Sequence, residues 1–348
     1  MVIVRAPVRI SFGGGGTDLE AYYAVWGGFV VSAAISHYCY AMARPSRDGG
    51  THIYSADYHA SASYPPGEVL AVAEPLILPK AVLTWFTEQG LLNHGVDLLL
   101  AADVPPGTGL GSSSAMTVAI IRALAEHTAM PITTTRLSEL ACMVEIERLG
   151  MPIGKQDQYA SALGGLNTLE FSSAEVAIQP LGLSSSTMTA LSDRLLLFGT
   201  GQLRHSASIL SGQRRDTATQ PIVIEALHQL KSLAHQMCAA LRAGELDHFG
   251  HLLDLGWHHK RSLSASVSSP AIDGWFAAAR AAGALGGKLT GAGGGGFLLL
   301  YCPLVAQSKV RQQLQVCGLQ ELPFSFDTAG VQLLAGAQPA RELSMLPA

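Results

Sequence analysis

Residues 105–115 read Pro-Pro-Gly-Thr-Gly-Leu-Gly-Ser-Ser-Ser-Ala and stand directly before an apolar stretch with helical spacing. The three glycines, Gly107, Gly109 and Gly111, allow a tight turn and a close approach of the main chain to a ligand. The serines at 112–114 open the helix, where N–H groups without helical partners and the helix dipole attract an anion. The sequence therefore predicts a binding loop for a nucleotide phosphate.

Other features of the segment limit and extend that prediction. No Gly-Lys-Ser or Gly-Lys-Thr follows the glycines, so the segment is not the common P-loop. A glycine-rich turn with a serine as helix N-cap would have the same sequence without any ligand. Serine hydroxyls at this position can also reach a divalent metal. Two further glycine clusters, at 13–16 and 291–296, favour the ligand-binding interpretation.

The composition is typical of a globular protein with a large core. Of the 348 residues, 48% are hydrophobic and 14% are charged, and a chain of this length is expected to form two domains. The formal net charge is −4, without any run of basic or acidic residues. We therefore expect no nucleic-acid or membrane partner, and an anionic substrate would be held by a few local cations.

Cysteines, histidines and the N-terminus bear on location and on metals. The five cysteines are scattered and lack a Cys-x-x-Cys spacing, which predicts buried free thiols in a reducing compartment. His258 and His259 are adjacent and have no partner at metal-ligand spacing, so no structural metal site is expected. No signal peptide pattern and no apolar run of about 18 residues is found, so a cytoplasmic protein is expected.

Hydrophobic periodicity predicts strands and helices in mixed order. Apolar, β-rich stretches predict strands at 2–4, 8–12, 28–40, 52–54, 97–103, 194–198 and 297–301. Helical spacing and capping signals predict helices at 113–127, 134–149, 223–241, 246–263 and from Pro270 onward. Segment 60–80 contains four prolines and is expected to be a loop or a sheet edge. Because the regular alternation of a parallel sheet is missing, the predicted fold class is α+β.

The glycine cluster at 291–296 matches G-x-G-x-x-G, but its context excludes a dinucleotide-binding fold. That fingerprint requires a helix after the glycines and an acidic residue about 20 positions further on. Here the β-like segment Phe297–Tyr301 follows, and residue 316 is a valine. We expect a loop whose N–H groups close over a phosphate or line a shared site.

The first cluster, at 13–16, is followed at once by Thr17 and Asp18. A carboxylate after a glycine turn can bind sugar hydroxyls through its acceptor oxygens. It can equally cap the short helix predicted to follow it. Arg9, four residues before the cluster, brings a permanent cation to the same region.

Carboxylates also flank the turn at 150–154. Glu145 and Glu147 lie on the preceding helix, and Asp157 follows the turn, so the chain can fold one carboxylate back toward another. One could hold Mg²⁺ while the other accepts a hydroxyl proton. The alternative for the two glutamates is a solvated helix face. Because they are two residues apart they point in different directions, and at most one is expected to have a role.

Three separated motifs together resemble those of the GHMP-type small-molecule kinases, the family of galactokinase, homoserine kinase, mevalonate kinase and phosphomevalonate kinase. The motifs are Ala-Pro-Val-Arg running into Gly-Thr-Asp at 6–18, Pro-Pro-Gly-x-Gly-Leu-Gly-Ser-Ser at 105–113, and Lys-x-Thr-Gly-Ala with four glycines at 288–296. They follow the family's order and span the chain. Secondary motifs at 200–206 and 257–263 are most similar to sugar-1-kinases of the heptose 7-phosphate kinase type, and the fucokinase branch shares parts of them.

The resemblance implies a two-domain GHMP kinase fold. Residues 1–188 would form an N-terminal domain that resembles ribosomal protein S5 domain 2 and carries the phosphate-binding loop. Residues 189–348 would form a ferredoxin-like C-terminal domain that carries the last glycine loop. The active site would lie between the two.

The resemblance also implies the chemistry, which is ATP-dependent transfer of the γ-phosphoryl group to the anomeric hydroxyl of a sugar. Asp157 would accept or orient the hydroxyl proton, and Arg9 would stabilise charge at the reacting oxygen. Ser113 and Glu147 would ligate Mg²⁺. An ion pair between Asp157 and Lys155 is the structural alternative to the catalytic role. The residues expected to bind ATP are Pro106, Gly107, Thr108, Gly109, Leu110, Gly111, Ser112, Ser113 and Ser114.

The expected acceptor is a small sugar or sugar phosphate, D-glycero-D-manno-heptose 7-phosphate in the first instance, which would yield the 1,7-bisphosphate. A substrate phosphate would need cationic side chains to bind it. Arg204 and Lys260 are candidates for this role, and Arg261 and Lys155 are further candidates. Each basic candidate could instead be an ordinary surface residue. The residues expected to bind the acceptor are Gly15, Gly16, Thr17, Asp18, Arg204, Lys260, Gly291, Gly293 and Gly294.

Other functions stay open at this point. Within the family these are a fucokinase-like enzyme for a non-phosphorylated sugar and a mevalonate-pathway enzyme. Outside catalysis, the same fold could serve as a silent binding protein, although Asp157, Glu147, Ser113 and Arg9 are all present. The oligomeric state is also open, with a homodimer as one option.

Overall fold

Two β-sheets, one of eight strands and one of four, organise the part of the chain that the structure describes. The structure is a computed structural model and describes residues 1–202, 212, 215, 217 and 220–336. Strands and helices are mixed in both halves, so the predicted α+β class is confirmed.

The larger sheet belongs mainly to the first half of the chain. Six of its strands pair in the order β12-β1-β2-β5-β3-β4, and every pair is antiparallel except β3 with β5, which is parallel. Strand β6 pairs with β2 outside this order, and β7 pairs with β6. A register shift at Pro7 lets β1 continue through the proline, so the two short strands predicted there are one strand. The strands are β1 Val2–Gly13, β2 Gly28–Pro45, β3 Thr51–Ser55, β4 Ala60–Tyr64, β5 Val96–Ala102, β6 Leu166–Phe171, β7 Val176–Pro180 and β12 Gln332–Ala335.

The smaller sheet belongs to the second half and is antiparallel throughout, in the order β11-β8-β10-β9. Along the chain, helices lie between β8 and β9 and between β10 and β11. This gives the β-α-β-β-α-β order of a ferredoxin-like unit. The strands are β8 Leu195–Gly199, β9 Gly286–Leu289, β10 Phe297–Tyr301 and β11 Gln320–Glu321.

Ten α-helices are described, and most of the predicted ones begin close to the expected residue. The start predicted at Pro270 is confirmed, because the Ser269 side chain accepts a hydrogen bond from the Ile272 N–H. The helices are α1 Glu20–Trp26, α2 Ile77–Glu88, α3 Ser112–His127, α4 Thr134–Cys142, α5 Gln156–Leu163, α6 Ser185–Arg194, α7 Pro221–Ala243, α8 Leu246–Arg261, α9 Pro270–Ala282 and α10 Leu304–Val316. A π-helical turn, Met143–Arg148, follows α4.

Helix α3 carries the largest share of buried residues and packs against β1 and β2. Helix α7 has the amphipathic spacing that the sequence predicts, and its apolar face is buried. Residues 60–80 contain an edge strand and the start of α2, so the prediction of a loop or sheet edge is confirmed in part. The strands β6 and β7 were not predicted, because their sequences lack clear alternation.

The end of the described chain returns to the larger sheet. Asp327 anchors this return. Its Oδ1 accepts hydrogen bonds from the N–H groups of Ala329, at 2.9 Å, and Gly330, at 2.7 Å. Its Oδ2 accepts one from the Tyr38 hydroxyl at 2.9 Å. Strand β12 then pairs with β1, so both halves of the chain contribute to one sheet.

Four of the five cysteines are buried free thiols, as predicted, but Cys317 is exposed. None of the described helices combines the length and the apolar character needed to cross a membrane.

We predict that Asp327→Ala lowers the free energy of unfolding by about 2–4 kcal/mol, because three hydrogen bonds to one buried carboxylate are lost together. Urea unfolding followed by circular dichroism measures the change. The matched control is Glu175→Ala, whose side chain is exposed. A loss in Asp327→Ala no larger than in the control would show that the returning segment does not depend on this carboxylate.

Candidate active site

The glycine loops at 107–111 and 291–296 pack main chain against main chain. A Cβ on Gly109 would lie 2.6 Å from the Thr290 carbonyl oxygen, and one on Gly291 would lie 2.5 Å from the Gly109 Cα. The Thr290 hydroxyl also donates a hydrogen bond to the Thr108 carbonyl at 3.2 Å. These contacts are too close for any side chain, so the glycines are required for the two halves of the chain to meet here.

Within the 291–296 loop, Gly291 and Ala292 line the cleft between the two halves. Gly293 and Gly294, which were also expected to bind the acceptor, lie against Val267 instead. The Gly294 N–H donates to the Val267 carbonyl oxygen at 2.6 Å, and a Cβ on Gly293 would lie 2.6 Å from a Val267 side-chain carbon. Gly293 and Gly294 therefore pack this loop against Val267, another residue of the second half of the chain.

The 107–111 loop ends directly at the start of α3. Gly107, Gly109 and Gly111 all have positive φ, between 76° and 77°, which explains why glycine recurs at alternate positions. Gly111 is the N-cap residue and no side chain caps the helix. The alternative of a serine N-cap is therefore wrong, and the first residues of α3, at 112–114, line the cleft at a helix start that lacks a side-chain cap.

Arg9 and Asp157 form a bidentate ion pair at the bottom of the cleft. Arg9 Nε donates to Asp157 Oδ1 at 2.7 Å, and Nη2 donates to Oδ2 at 2.6 Å. Arg9 Nη1 donates to the Gly109 carbonyl oxygen at 2.8 Å, which ties the guanidinium to the 107–111 loop. Lys155, the partner considered from the sequence, lies over the Tyr23 ring instead. The structure therefore joins both predicted catalytic residues to the phosphate loop.

Asp18 is buried beside this pair and lines the cleft. Its Oδ1 accepts from the Gly16 N–H and its Oδ2 from Gln156 Nε2, both at 2.9 Å. Burial, and then the charge of Asp157, raise the pKa of the Asp18 carboxyl. It is not a helix cap, because α1 is preceded by Leu19 and has no side-chain cap.

Of the other residues in this segment, Gly15 and Gly16 line the cleft as expected. Thr17 does not. Its hydroxyl is buried and donates to the Gly14 carbonyl oxygen at 2.8 Å, while it accepts from the Phe29 N–H at 3.0 Å. The role of Thr17 is therefore to hold the turn.

Glu147 was predicted to ligate a metal together with Ser113, but the structure places Glu145, and not Glu147, beside Ser113. Glu145 is fully buried, and its carboxylate accepts hydrogen bonds from the Ser113 hydroxyl at 3.0 Å and from Gln158 Nε2 at 2.5 Å. Glu147 is exposed. The cause is the π-helical turn after α4, since its wider hydrogen-bond ring changes which residues face inward.

Two further buried ionisable groups of the site, besides Asp18, have shifted pKa values. Burial raises the pKa of the Glu145 carboxyl to about 7, although the hydrogen bonds to this carboxylate lower the pKa in part. Burial, followed by the charges of Lys260 and Arg9, holds the pKa of the Lys288 ammonium well below its usual range. Lys288 Nζ donates to the carbonyl oxygens of Ser11, at 2.7 Å, and Phe12, at 3.2 Å.

The structure places the basic residues that were predicted to bind a substrate phosphate in different surroundings. Lys260 is buried, lines the cleft and donates from Nζ to the Gly291 carbonyl oxygen at 2.5 Å. Arg261 is exposed and pairs with Asp273. Arg204 lies outside the described residues.

Sequence reasoning assigned no role to Ser11, Gln156 or Lys288, although all three line the cleft. For Ser11 a signal existed, since side chains two residues apart on a strand share a face and Arg9 lies two residues before it.

A second cavity lies on the other side of the first turn of α3, and Ser112 and Ser113 line both cavities. Most of its wall is apolar, with Cys39, Leu76, Ile77, Leu78, Pro79, Leu100, Val104, Pro106 and Met116. The start of α3 therefore stands between a polar cleft and an apolar pocket.

Two family models match the chain. The model of the GHMP kinases N terminal domain matches residues 78–165, and the model described as GHMP kinases C terminal matches residues 237–317. The first match covers the 107–111 loop, Glu145 and Asp157, and the second covers Lys260 and the 291–296 loop.

Individual relatives match over nearly the whole chain. A D-glycero-alpha-D-manno-heptose 7-phosphate kinase from Campylobacter jejuni is 30% identical over 333 residues, which cover 94% of this chain and 97% of the relative. A crystal structure of a D-glycero-D-manno-heptose 1-phosphate kinase from Bacteroides thetaiotaomicron superposes with a TM-score of 0.81 at 28% identity and covers 96% of this chain and 99% of that one. An L-fucokinase/L-fucose-1-P guanylyltransferase from Bacteroides fragilis is 27% identical over 85% of this chain but only 34% of its own length.

We predict that Glu145 makes the metal-free protein less stable as the pH rises from about 4.5 to about 7. The carboxyl keeps its proton in the folded state up to a pKa of about 7, while in the unfolded state it loses the proton near its ordinary pKa of 4.5. Between these values the folded state holds more protons, so the free energy of unfolding falls with rising pH, by at most about 1.4 kcal/mol per pH unit.

Urea unfolding of the wild type and of Glu145→Gln at pH 5, 6, 7 and 8, with a chelator present, measures this dependence. Glu145→Gln should have the flatter profile, and Glu147→Gln, exposed and two residues away, should follow the wild type. Parallel profiles for all three proteins would contradict the raised pKa.

Proposed function

The chain belongs to the GHMP kinases and is an ATP-dependent sugar kinase, and we propose that it phosphorylates the anomeric hydroxyl of D-glycero-D-manno-heptose 7-phosphate. One observation carries the proposal, namely that the Arg9–Asp157 ion pair lies directly beside the uncapped start of α3. A phosphoryl donor and an alcohol acceptor can therefore meet at a single point. The names of the relatives support the choice of acceptor.

The nucleotide would lie across the first turn of α3. The apolar pocket suits a planar base, and the neighbouring main-chain N–H groups of the 107–111 loop suit the phosphates. Because Ser112 and Ser113 line both cavities, one molecule can span them without a break. The γ-phosphate would then point into the cleft toward Arg9.

Mg²⁺ would be held by Ser113 and Glu145. Their hydroxyl and carboxylate oxygens are 3.0 Å apart, and oxygen atoms are the ligands that Mg²⁺ prefers, together with substrate phosphates and water. When bound, the ion would neutralise charge on the phosphates. Burial raises the pKa of the Glu145 carboxyl, and a bound cation would lower that pKa and favour the charged carboxylate.

Asp157 and Arg9 would act on the two reacting oxygens. Asp157 lies at the open end of the pair, with 21% of its side chain exposed, so a sugar hydroxyl can approach its carboxylate. The carboxylate would orient the hydroxyl and accept its proton as the new O–P bond forms and the bond from the γ-phosphorus to the β–γ bridging oxygen of ATP breaks, which releases ADP. Arg9 is 4% exposed and held by three hydrogen bonds, so its charge is fixed in place to stabilise the transferred group. Asp18 would bind other hydroxyls of the same sugar.

We predict that Asp157→Asn lowers kcat by roughly 100-fold or more, because the amide cannot accept the hydroxyl proton. The dissociation constant for a non-hydrolysable ATP analogue should stay close to that of the wild type, since the phosphate loop is intact. Coupled-assay turnover and calorimetric titration measure the two quantities. Asp193→Asn, on an exposed side chain, is the control. Wild-type turnover in Asp157→Asn would remove this carboxylate from the mechanism.

We predict that heptose 7-phosphate has the highest kcat/KM in an ATP-consumption assay that also includes fucose, galactose, mannose and phosphomevalonate. Arg204→Ala should raise KM for heptose 7-phosphate more than for the dephosphorylated heptose, because only the former offers a phosphate to this cation. A higher kcat/KM for fucose would favour the fucokinase-like alternative. Equal effects of Arg204→Ala on both heptoses would contradict a role in phosphate binding.

A further inference from the structure

Gly15 leaves a small polar space in the wall of the cleft. Unlike its neighbours Gly14 and Gly16, it does not have a positive φ, so its main chain does not require glycine. A Cβ on Gly15 would lie 3.6 Å from Ser11 Oγ, 3.8 Å from Gln156 Nε2 and 4.0 Å from Lys260 Nζ. We call this space, bounded by these three polar atoms, the Gly15 cradle. A methyl group would fill it without a clash.

The Ser11 hydroxyl is the clearest sign that the cradle receives a ligand. Ser11 is 5% exposed, lines the cleft, and its hydroxyl makes no hydrogen bond with any other group of the described residues. A buried hydroxyl without a partner is costly, and such groups are usually satisfied by a ligand or by water. A ligand oxygen in the cradle would accept the hydrogen bond that Ser11 has to give.

The charges around the cradle favour an anion. Among the described residues that line the cleft, the carboxylates are Asp18 and Asp157, and Asp157 is paired with Arg9. The Lys260 ammonium borders the cradle, and Lys288 lies behind it with Nζ on the Ser11 carbonyl oxygen. Arg9 is neutralised by Asp157, and burial holds the pKa of Lys288 well below its usual range, so the Lys260 ammonium supplies the positive charge at this end of the cleft.

The position of the cradle fixes which end of an acceptor it would hold. Strand β1 runs from Arg9 past Ser11 toward Gly15, and two residues of a strand span about 7 Å. A hydroxyl that reacts at the Arg9–Asp157 pair and a group held beside Ser11 therefore belong to different parts of the acceptor. A sugar that carries a phosphate far from its reacting hydroxyl matches this separation.

We propose that the Gly15 cradle binds the phosphate ester of a phosphorylated acceptor sugar, with Ser11 as hydrogen-bond donor and Lys260 as the adjacent cation. The proposal rests on the proposed function and adds the residues that distinguish a sugar phosphate from a plain sugar. The γ-phosphate of ATP is the other phosphate that could occupy this space, and the test has to separate the two.

The test is Gly15→Ala, which fills the cradle with one methyl group. Gly274→Ala is the matched control, since Gly274 is also a glycine without positive φ and a Cβ there meets nothing within 4 Å. Ser11→Ala is a second variant that removes the donor without adding volume. Binding of inorganic phosphate is measured by ³¹P NMR titration with the nucleotide site saturated by a non-hydrolysable ATP analogue and Mg²⁺. Kinetics with heptose 7-phosphate and ATP are measured in parallel.

The nucleotide-loaded wild type should bind inorganic phosphate, and Gly15→Ala and Ser11→Ala should bind it at least tenfold more weakly. Gly15→Ala should also raise KM for heptose 7-phosphate about tenfold or more, with KM for ATP unchanged. Gly274→Ala should match the wild type. Failure of the nucleotide-loaded wild type to bind phosphate, equal binding by wild type and Gly15→Ala, or a change confined to KM for ATP would each overturn the proposal.

A failure of the proposed function gives a different result. The wild type would then turn over heptose 7-phosphate no better than plain sugars. The titration would still measure the binding of inorganic phosphate in the Gly15 cradle independently of turnover.

Discussion

The contact between the 107–111 and 291–296 loops is the constraint on which the site depends. Gly109 and Gly291 approach so closely that neither could carry a Cβ, and Thr290 is hydrogen-bonded across the same contact. The main chain of the second half of the protein thus lies against the 107–111 loop, and both loops line the same cleft. This contact sets the positions of the start of α3 and of the lysines of the second half relative to the cleft that they line. Side chains at these positions would separate the two halves.

The charges of the cleft are arranged along this contact. Arg9 and Asp157 are joined to each other and to the 107–111 loop, so one carboxylate and one guanidinium have fixed positions at the start of α3. On one side, Glu145 is buried beside Ser113, and its pKa of about 7 marks a carboxylate that a cation would stabilise. On the other side, the Lys260 ammonium gives the wall positive charge, beside the buried Lys288, whose pKa lies well below its usual range. This distribution of charge suits the proposed pair of ligands, a polyanionic phosphoryl donor and an alcohol acceptor.

The sequence predicted the parts of the site that depend on local chemistry. Glycines at alternate positions before a helix indicated a binding loop from residue type and spacing, whereas the roles expected of Arg9 and Asp157 came from the resemblance to the GHMP-type kinases. Glu145 could not be distinguished from Glu147, because the π-helical turn that brings Glu145 inward depends on packing rather than on periodicity. Thr17, Gly293 and Gly294 were assigned to the acceptor although they hold turns, since a structural and a ligand-binding glycine look alike in sequence. Strands β6 and β7 were missed for lack of alternation, and the return of β12 to the first sheet is a long-range pairing without a local signal.

The most direct measurement is a crystal structure with Mg²⁺ and a non-hydrolysable ATP analogue. We expect the triphosphate on the N–H groups of residues 107–113, the cation on Ser113 and Glu145, and the γ-phosphate within reach of Arg9. A triphosphate bound away from this loop, or a cation held by Glu147, would contradict the account.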